Sequence, residues 1–398
     1  MNFSKKAEQI AASITLEITA KASEMKANGL DVIGFGAGEP DFNTPKNIRD
    51  AAISAIENGY TKYTPVSGIK ELKIAICDKF KRDNNLSYSI QNVIVSTGAK
   101  QCLSDIFSAL LNPGDEVIMS SPYWVTYPEL VKLNDGVSVI IDTTEENHFK
   151  FSVEDLKNAY TDKAKAILLN SPSNPTGAVY TEDELRAIAE FAKEKDLFIV
   201  SDEIYEKLIY DGEKHVSIAS LSEDAFNRTV VINGMSKSYA MTGWRLGYAA
   251  SGSTKFIKLM SNIQAHTTSN ANSITQYASV EALNGSQHDL HSMVKEFEKR
   301  RNYMIKKVNS IHGIHCSTPK GAFYVMINIS ELFGKTINGV KITDSVEFSK
   351  ELLNQSRVAV VPGAGFGSDK YVRLSYATSM DNIVKGLDKI EEFIGKLN

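Results

Sequence analysis

Lys237 and Arg245 follow a short β-branched run, residues 229–232, in the stretch TVVINGMSKSYAMTGWRLGY that covers 229–248. An amine can hold a carbonyl carbon as a Schiff base, and a guanidinium can hold an anion by charge and paired hydrogen bonds. Four other apolar runs also end in reactive or polar residues. Residues 93–96 lead into Thr97-Gly98-Ala99-Lys100, where small residues at a helix start would let backbone N–H groups meet a phosphate. Residues 116–119 lead into Ser120-Ser121-Pro122-Tyr123-Trp124, and 166–169 into Asn170-Ser171-Pro172-Ser173-Asn174-Pro175-Thr176-Gly177. Residues 198–200 lead into Ser201-Asp202-Glu203-Ile204-Tyr205. Each alone has a bland explanation. A lysine beyond a strand is usually solvated, a strand-end Asp is more often a helix cap, a lone Trp packs in a core, and Asn-Pro-Thr-Gly marks a turn. Their joint placement is what points to chemistry.

For these residues to meet, the preceding runs must lie side by side. From about residue 45 to 285, apolar runs at 93–96, 116–119, 166–169, 198–200, 229–232 and 246–250 alternate with segments of 3.6-residue periodicity, such as 182–194. This alternation predicts an α/β fold with a mostly parallel, helix-covered sheet. Ligands of such sheets bind at the carboxyl ends of the strands. The first 29 residues read as one helix, with Ile10, Ile14 and Ile18 at four-residue spacing and Asn28-Gly29 as a stop. An apolar run at 32–35 then ends in Gly36-Ala37-Gly38-Glu39-Pro40. Beyond residue 286, a charged helix at 295–308, strand-like runs at 321–327, 358–361 and 371–376, and helices at 345–354 and the terminus predict an α+β unit. The expected division is a large domain at 45–285 and a smaller one formed by 1–44 with 286–398.

The 398-residue chain carries 44 Lys plus Arg against 48 Asp plus Glu, a formal net charge of -4 that argues against nucleic acid as its main partner. Cys77, Cys102 and Cys316 are scattered without a C-x-x-C pair and predict reduced thiols. No window approaches the roughly 20 apolar residues of a membrane helix. The opening residues lack a signal peptide's apolar core. A soluble, cytoplasmic protein without membrane partners is expected.

The gathered set is what pyridoxal 5'-phosphate requires. Its aldehyde takes a lysine, its pyridinium nitrogen a carboxylate, its phosphate amides and an arginine, its ring face an aromatic, and its ring hydroxyl an amide and a phenol. Gly234-Met235-Ser236-Lys237, continued through Gly243-Trp244-Arg245-Leu246-Gly247, joins Asn174-Pro175-Thr176-Gly177 and Asp202-Glu203-Ile204-Tyr205. With these motifs the chain resembles, over essentially its whole length, the class I aminotransferases, pyridoxal-phosphate enzymes of fold type I. The resemblance implies that Lys237 forms the Schiff base and shuttles the proton, and that Asp202 faces the pyridine nitrogen. It implies that Asn174 and Tyr205 bond the ring hydroxyl oxygen while Trp124 stacks on the ring. Gly98, Ala99, Ser236 and Arg245 match phosphate positions, although Gly234 stands where the family often has a hydroxyl. Tyr63, in Thr61-Lys62-Tyr63-Thr64-Pro65, resembles the tyrosine that reaches the phosphate from a second subunit, which implies a homodimer with shared sites. Arg373, in Val372-Arg373-Leu374-Ser375, matches the arginine that grips the substrate α-carboxylate, and Gly38 a backbone contact to it. Trp124 and Asn174 would also face the substrate.

Lys100 sits where a bacterial aspartate subgroup carries a lysine near the distal carboxylate; contact with phosphate or solvent is the alternative. Ser13-Ile14-Thr15 resembles that subgroup's Ser-x-Thr, on a segment that closes over the substrate. Both imply ping-pong transfer from L-aspartate to 2-oxoglutarate, giving oxaloacetate and L-glutamate. Members that accept prephenate tend to carry Lys-Pro just before Ser-x-Thr; here the pair is Ala11-Ala12, so prephenate use is not expected. Aromatic, alanine or broad-specificity transamination and β-elimination remain open on the same cofactor set. A regulatory, non-enzymatic module usually carries a fused DNA-binding domain, for which the sequence leaves no room. Gly363-Ala364-Gly365-Phe366-Gly367 lacks the G-x-G-x-x-G spacing and reads as a turn shaping the approach to Arg373. His288 with His291, and His312 with His315 and Cys316, supply no full ligand set, so no metal is expected.

Overall fold

Residues 2–12 and 14–398 are described in a computed structural model of the chain. In chain order its strands are β1 (Ile33–Gly34), β2 (Val93–Ser96), β3 (Glu116–Ser121), β4 (Val137–Asp142), β5 (Ala164–Asn170), β6 (Phe198–Asp202) and β7 (Thr229–Gly234). They continue with β8 (Gly247–Ser251), β9 (Tyr324–Asn328), β10 (Thr336–Ile337), β11 (Val340–Lys341), β12 (Val358–Ala359), β13 (Val361–Pro362) and β14 (Tyr371–Ser375). Among the described residues, seven strands form the central sheet in the order β2-β8-β7-β6-β5-β3-β4. Pairings from β4 to β7 are parallel, and β8 runs antiparallel to both β2 and β7. Every residue of β2, β7 and β8 is buried, which is why these strands read as continuous apolar runs rather than alternating ones. Helices cover the sheet, and their starts follow capping rules. Thr181 accepts from the Glu184 N–H while Glu184 reaches back, which opens helix Glu182–Glu194.

Several expected runs stop short of the observed strands, which continue into polar residues. β5 runs on to Asn170 and β6 to Asp202, and these two residues are register partners across the sheet. Polar character ended the apolar pattern, but the backbone ladder continues, so the side chains stand on a rigid frame. The edge strand β4 was not expected, and its half-exposed residues explain the weak signal.

The N-terminal expectation needs correction. Two helices, Lys5–Glu8 and Ile14–Ala27, stand where one was expected. Tertiary contacts replace the helix between them: the Ala11 N–H donates to Glu129 Oε2 at 3.2 Å, and Lys132 Nζ donates to the Gln9 carbonyl at 3.2 Å. Lys6 pairs with Asp135 at 2.8 Å, fastening this arm to helix Thr126–Leu133 and its C-terminal loop.

Toward the C-terminus, β13, β14 and β9 form an antiparallel sheet, and helix His288–Val308 starts earlier than its charged portion suggested. The single run expected at 358–361 divides at Val360. β12 pairs in parallel with β1, Ile33 opposite Val358, whereas β13 pairs with β14, placing Val361 opposite Arg373. Among the described residues, no helix is long and apolar enough to cross a membrane.

Helix Ala99–Leu110 packs below the sheet edge and carries one buried carboxyl group, Asp105, whose Oδ2 has no hydrogen-bond partner. It is 3% exposed, and burial pushes its pKa up to about 7. Because the folded-state pKa lies above the unfolded one, stability is full below the unfolded pKa and falls as pH rises through about 7. Asp105→Asn should flatten that dependence and, above pH 7, stabilise by about 2–4 kcal/mol. Thermal unfolding of both proteins between pH 4 and 9 would check this; parallel curves would contradict it.

Candidate active site

At the carboxyl ends of β2, β3, β5, β6 and β7, the loops enclose a cavity of about 450 Å³. β7 delivers Ser236 and Lys237 to its wall, and Asp202 ends β6 at its floor. The Lys237 ammonium donates to the Gly38 carbonyl, which binds the loop after β1 to the loop after β7. Asp202 Oδ2 accepts from the Tyr127 hydroxyl at 2.8 Å, and Oδ1 from the Ile204 N–H at 3.2 Å. Tyr205, three residues on in the turn after β6, shares a 3.0 Å hydrogen bond with the hydroxyl of Tyr324.

The N-terminus of helix Ala99–Leu110 forms the far end of the cavity. Gly98 has φ +90°, and a Cβ there would stand 2.5 Å from Arg245 Nη2; only glycine lets the guanidinium come so close to the helix start. Gly247 is equally constrained, since its Cβ would lie 2.3 Å from the Ala99 nitrogen. Arg245 is held by a 2.9 Å bond from Nη1 to the Thr242 carbonyl, and Thr242 Oγ1 donates to Glu39 Oε2 at 2.7 Å. Backbone donors, a helix dipole and a guanidinium thus converge on one anion cradle.

Arg373 comes from within β14 and is 2% exposed. Nη1 donates to Asn174 Oδ1 at 2.9 Å and Nη2 to the Gly36 carbonyl at 3.0 Å, while Nε has no partner. The rings of Tyr324 and Phe366 flank it at 4.4 and 4.9 Å. A buried guanidinium with neutral partners and one idle N–H is a site prepared for an anion. The glycine-rich run serves this corner: a Cβ on Gly365 would meet Ile14 Cγ2 at 2.2 Å, so glycine admits the N-terminal segment beside Phe366.

The electrostatics follow from enclosure. Burial, then the Arg373 charge, pushes Lys237 down to about 8, with Glu39 opposing. Burial pushes Asp202 up to about 6 despite its two donors. Lys100, its ammonium 5.1 Å from the Trp124 ring centroid, is lowered by burial and by Arg245.

Of the residues named from the sequence, Thr15, Gly38, Ala99, Lys100, Trp124 and Asn174 line this cavity. Asp202, Tyr205, Ser236, Lys237, Arg245 and Arg373 line it too, and Gly98 lies against Arg245. Tyr63 does not; it is 91% exposed on the surface. Ser13 lies outside the described residues. Sequence reasoning missed Glu39, Tyr127, Thr242 and Tyr324. Tyr127 had a usable signal, one helical turn after Trp124, whereas Tyr324 sits in a strand distant in sequence from every motif.

Pyridoxal phosphate fits these residues. Asp202 is a buried carboxylate with neutral donors only, which a pyridinium N–H would complete. The cradle at Gly98 and Arg245 suits a phosphate, and Lys237 lines the same cavity with its proton loosened.

Comparisons with known proteins agree. Residues 30–390 match the family model described as aminotransferase class I and II. The chain is 53% identical over 396 residues to an aspartate aminotransferase of Bacillus subtilis, covering 100% of both chains. It is 49% identical to a probable aspartate/prephenate aminotransferase of Rhizobium leguminosarum, covering 96% of each. Among solved structures, an aspartate aminotransferase of Rhizobium meliloti superposes with a TM-score of 0.96 at 40% identity, covering 100% of both. The fold is that of the fold type I pyridoxal-phosphate enzymes and the cofactor is pyridoxal phosphate, because the chain belongs to the class I and II aminotransferase family.

Proposed function

We propose that this enzyme transfers the amino group of L-aspartate to 2-oxoglutarate in a ping-pong sequence. The observation that carries the choice of a dicarboxylate is that two cations beyond Lys237 and the Arg245 of the anion cradle, Arg373 and Lys100, line the cavity. Arg373 would take the α-carboxylate with its fork, and Lys100 the distal one. The names of relatives at 53% and 49% identity favour aspartate, the latter with prephenate. Ala11-Ala12 weighs against prephenate. The deciding experiment is a steady-state screen of amino donors, prephenate-derived and aromatic ones included, against 2-oxoglutarate. Aspartate should give the highest kcat/KM; no turnover of aspartate would refute the assignment.

The cofactor supplies the electron sink for a carbanion at the substrate Cα and the carbon that carries the amino group. Lys237 would hold it covalently and, once released, move the proton at Cα. A pKa of about 8 leaves part of the amine neutral near physiological pH and able to act as base. Asp202 would keep the pyridine nitrogen protonated, with Tyr127 holding its carboxylate. Asn174 and Tyr205 would hold the ring hydroxyl oxygen, and Trp124 would stack on the ring. Gly98, Ala99, Ser236 and Arg245 would hold the phosphate, and Gly38, with Thr15 above, would help orient the substrate.

We also read the enzyme as a homodimer in which Tyr63 enters the neighbouring site. Support comes from its near-complete exposure and from Ile53, Ile56 and Tyr60, exposed apolar residues close in sequence. The division at 45–285, with 1–44 joining 286–398, is supported by the β1–β12 pairing. Free thiols at Cys77, Cys102 and Cys316 accord with a reducing cytoplasmic setting.

Covalent capture of pyridoxal phosphate by apoenzyme, followed by visible absorbance, should accelerate as pH rises through about 8, since the neutral amine is the nucleophile. Lys237→Ala should develop no such band, and a flat profile from pH 6 to 9 would count against the assignment. Lys100→Ala should lower kcat/KM for aspartate roughly 10- to 100-fold, the loss of one charge-assisted hydrogen bond. Alanine turnover should change far less; equal losses would remove Lys100 from substrate selection.

A further inference from the structure

Two phenols face each other in the wall of the cavity, Tyr205 and Tyr324, 3.0 Å apart, at 3% and 1% exposure. Each carries one proton, and their shared bond uses one of the two. The second must find an acceptor elsewhere or remain unsatisfied. We propose that Tyr324 is a positioning residue: it donates its hydroxyl proton to the Tyr205 oxygen, so that the Tyr205 proton is left to point into the cavity. The inference rests on the reading of Tyr205 as a partner of the cofactor's ring hydroxyl oxygen.

The direction of the bond follows from the surroundings. Burial raises the Tyr324 phenol, but the Arg373 guanidinium, 4.4 Å from its ring centroid, holds that rise back. Tyr205 is pushed well above the ordinary phenol range by burial and then by Tyr324 itself. The better acid is the better donor, so Tyr324 gives and Tyr205 receives. Tyr205 in turn becomes the stronger donor, because accepting a hydrogen bond polarises its own O–H. The Lys237 amine lies 5.7 Å from the Tyr205 ring centroid, across the same cavity. A firm donor at the ring hydroxyl oxygen withdraws the electron pair that would otherwise help keep a proton on the Lys237 nitrogen. Tyr324 would thereby lower the pH at which the bound lysine nitrogen loses its proton. The other charged and titratable groups facing that nitrogen are Asp202, Arg373, Arg245, Glu39, Tyr127 and Lys100, all unchanged by a substitution at 324.

The test is the pH titration of the visible absorbance of holoenzyme, which reads the proton on the Lys237 nitrogen directly. Tyr324→Phe removes one oxygen and keeps the ring over Arg373. The titration midpoint should move upward by roughly half to one pH unit, the worth of one hydrogen bond. Tyr205→Phe should move it further. The double variant should match Tyr205→Phe alone, because Tyr324 acts through Tyr205. An unmoved or lowered midpoint in Tyr324→Phe, with a raised one in Tyr205→Phe, would overturn the inference while leaving the cofactor reading intact. Additive shifts in the double variant would also overturn it. No shift in either single variant would overturn both the inference and the placement of Tyr205.

Discussion

Arg373, Lys237 and Asp202 share one enclosure without neutralising one another, and the rest of the molecule is arranged around that constraint. Buried charges are costly unless hydrogen-bonded, and pairing them directly is the cheap solution. Here each takes neutral partners instead: an amide oxygen and a carbonyl for Arg373, a carbonyl for Lys237, a phenol and an N–H for Asp202. Neutral partners satisfy geometry but leave the charge available to a ligand. The displaced proton affinities of Lys237 and Asp202 are the visible trace of that choice.

Keeping such charges apart demands a stiff frame. Asp202 and Asn170 stand on register-paired strands in the middle of the sheet, and the Asn170 amide donates to the Asp202 carbonyl at 3.0 Å. Asn170 Oδ1 then accepts the Asn174 N–H at 2.7 Å, and Asn174 reaches Arg373. One chain of short contacts therefore runs from the central sheet to a guanidinium on β14. The Gly36 carbonyl closes it from the N-terminal side, so three distant parts of the sequence meet on a single side chain. Arg300 with Asp41, at 2.7 Å, and Arg301 with Asp211, at 2.6 Å, brace the same junction from helix His288–Val308.

The central sheet was legible because its strands are buried on both faces and end at polar loops. Most runs came within a few residues of the observed strands, and the C-terminal shortfalls fell at Ser121, Asn170, Asp202 and Gly234, where polar or small residues interrupt the apolar pattern. The edge strand β4, with exposed residues on both faces, left little to read. The N-terminal helix was overdrawn because periodicity cannot register that Glu129 and Lys132 bind the backbone between its halves. Most residues named from contiguous motifs line the cavity, Tyr63 excepted, whereas those that reach it by packing from afar went unnamed. Tyr324 and Glu39 owe their places to tertiary contacts with Tyr205 and Thr242, which no local spacing encodes.

The parallel pairing of Ile33 with Val358 also bears on how the molecule is made. A ribosome adding about 5–20 residues per second completes β8 well before it reaches β12 and β14. For a span on the order of tens of seconds, the segment holding Gly36 and Gly38 has no strand to join. The nascent chain can by then own its lysine and its helix cradle, but not its buried guanidinium. Synthesis itself thus orders the assembly, with Lys237 available first and Arg373 only near the end.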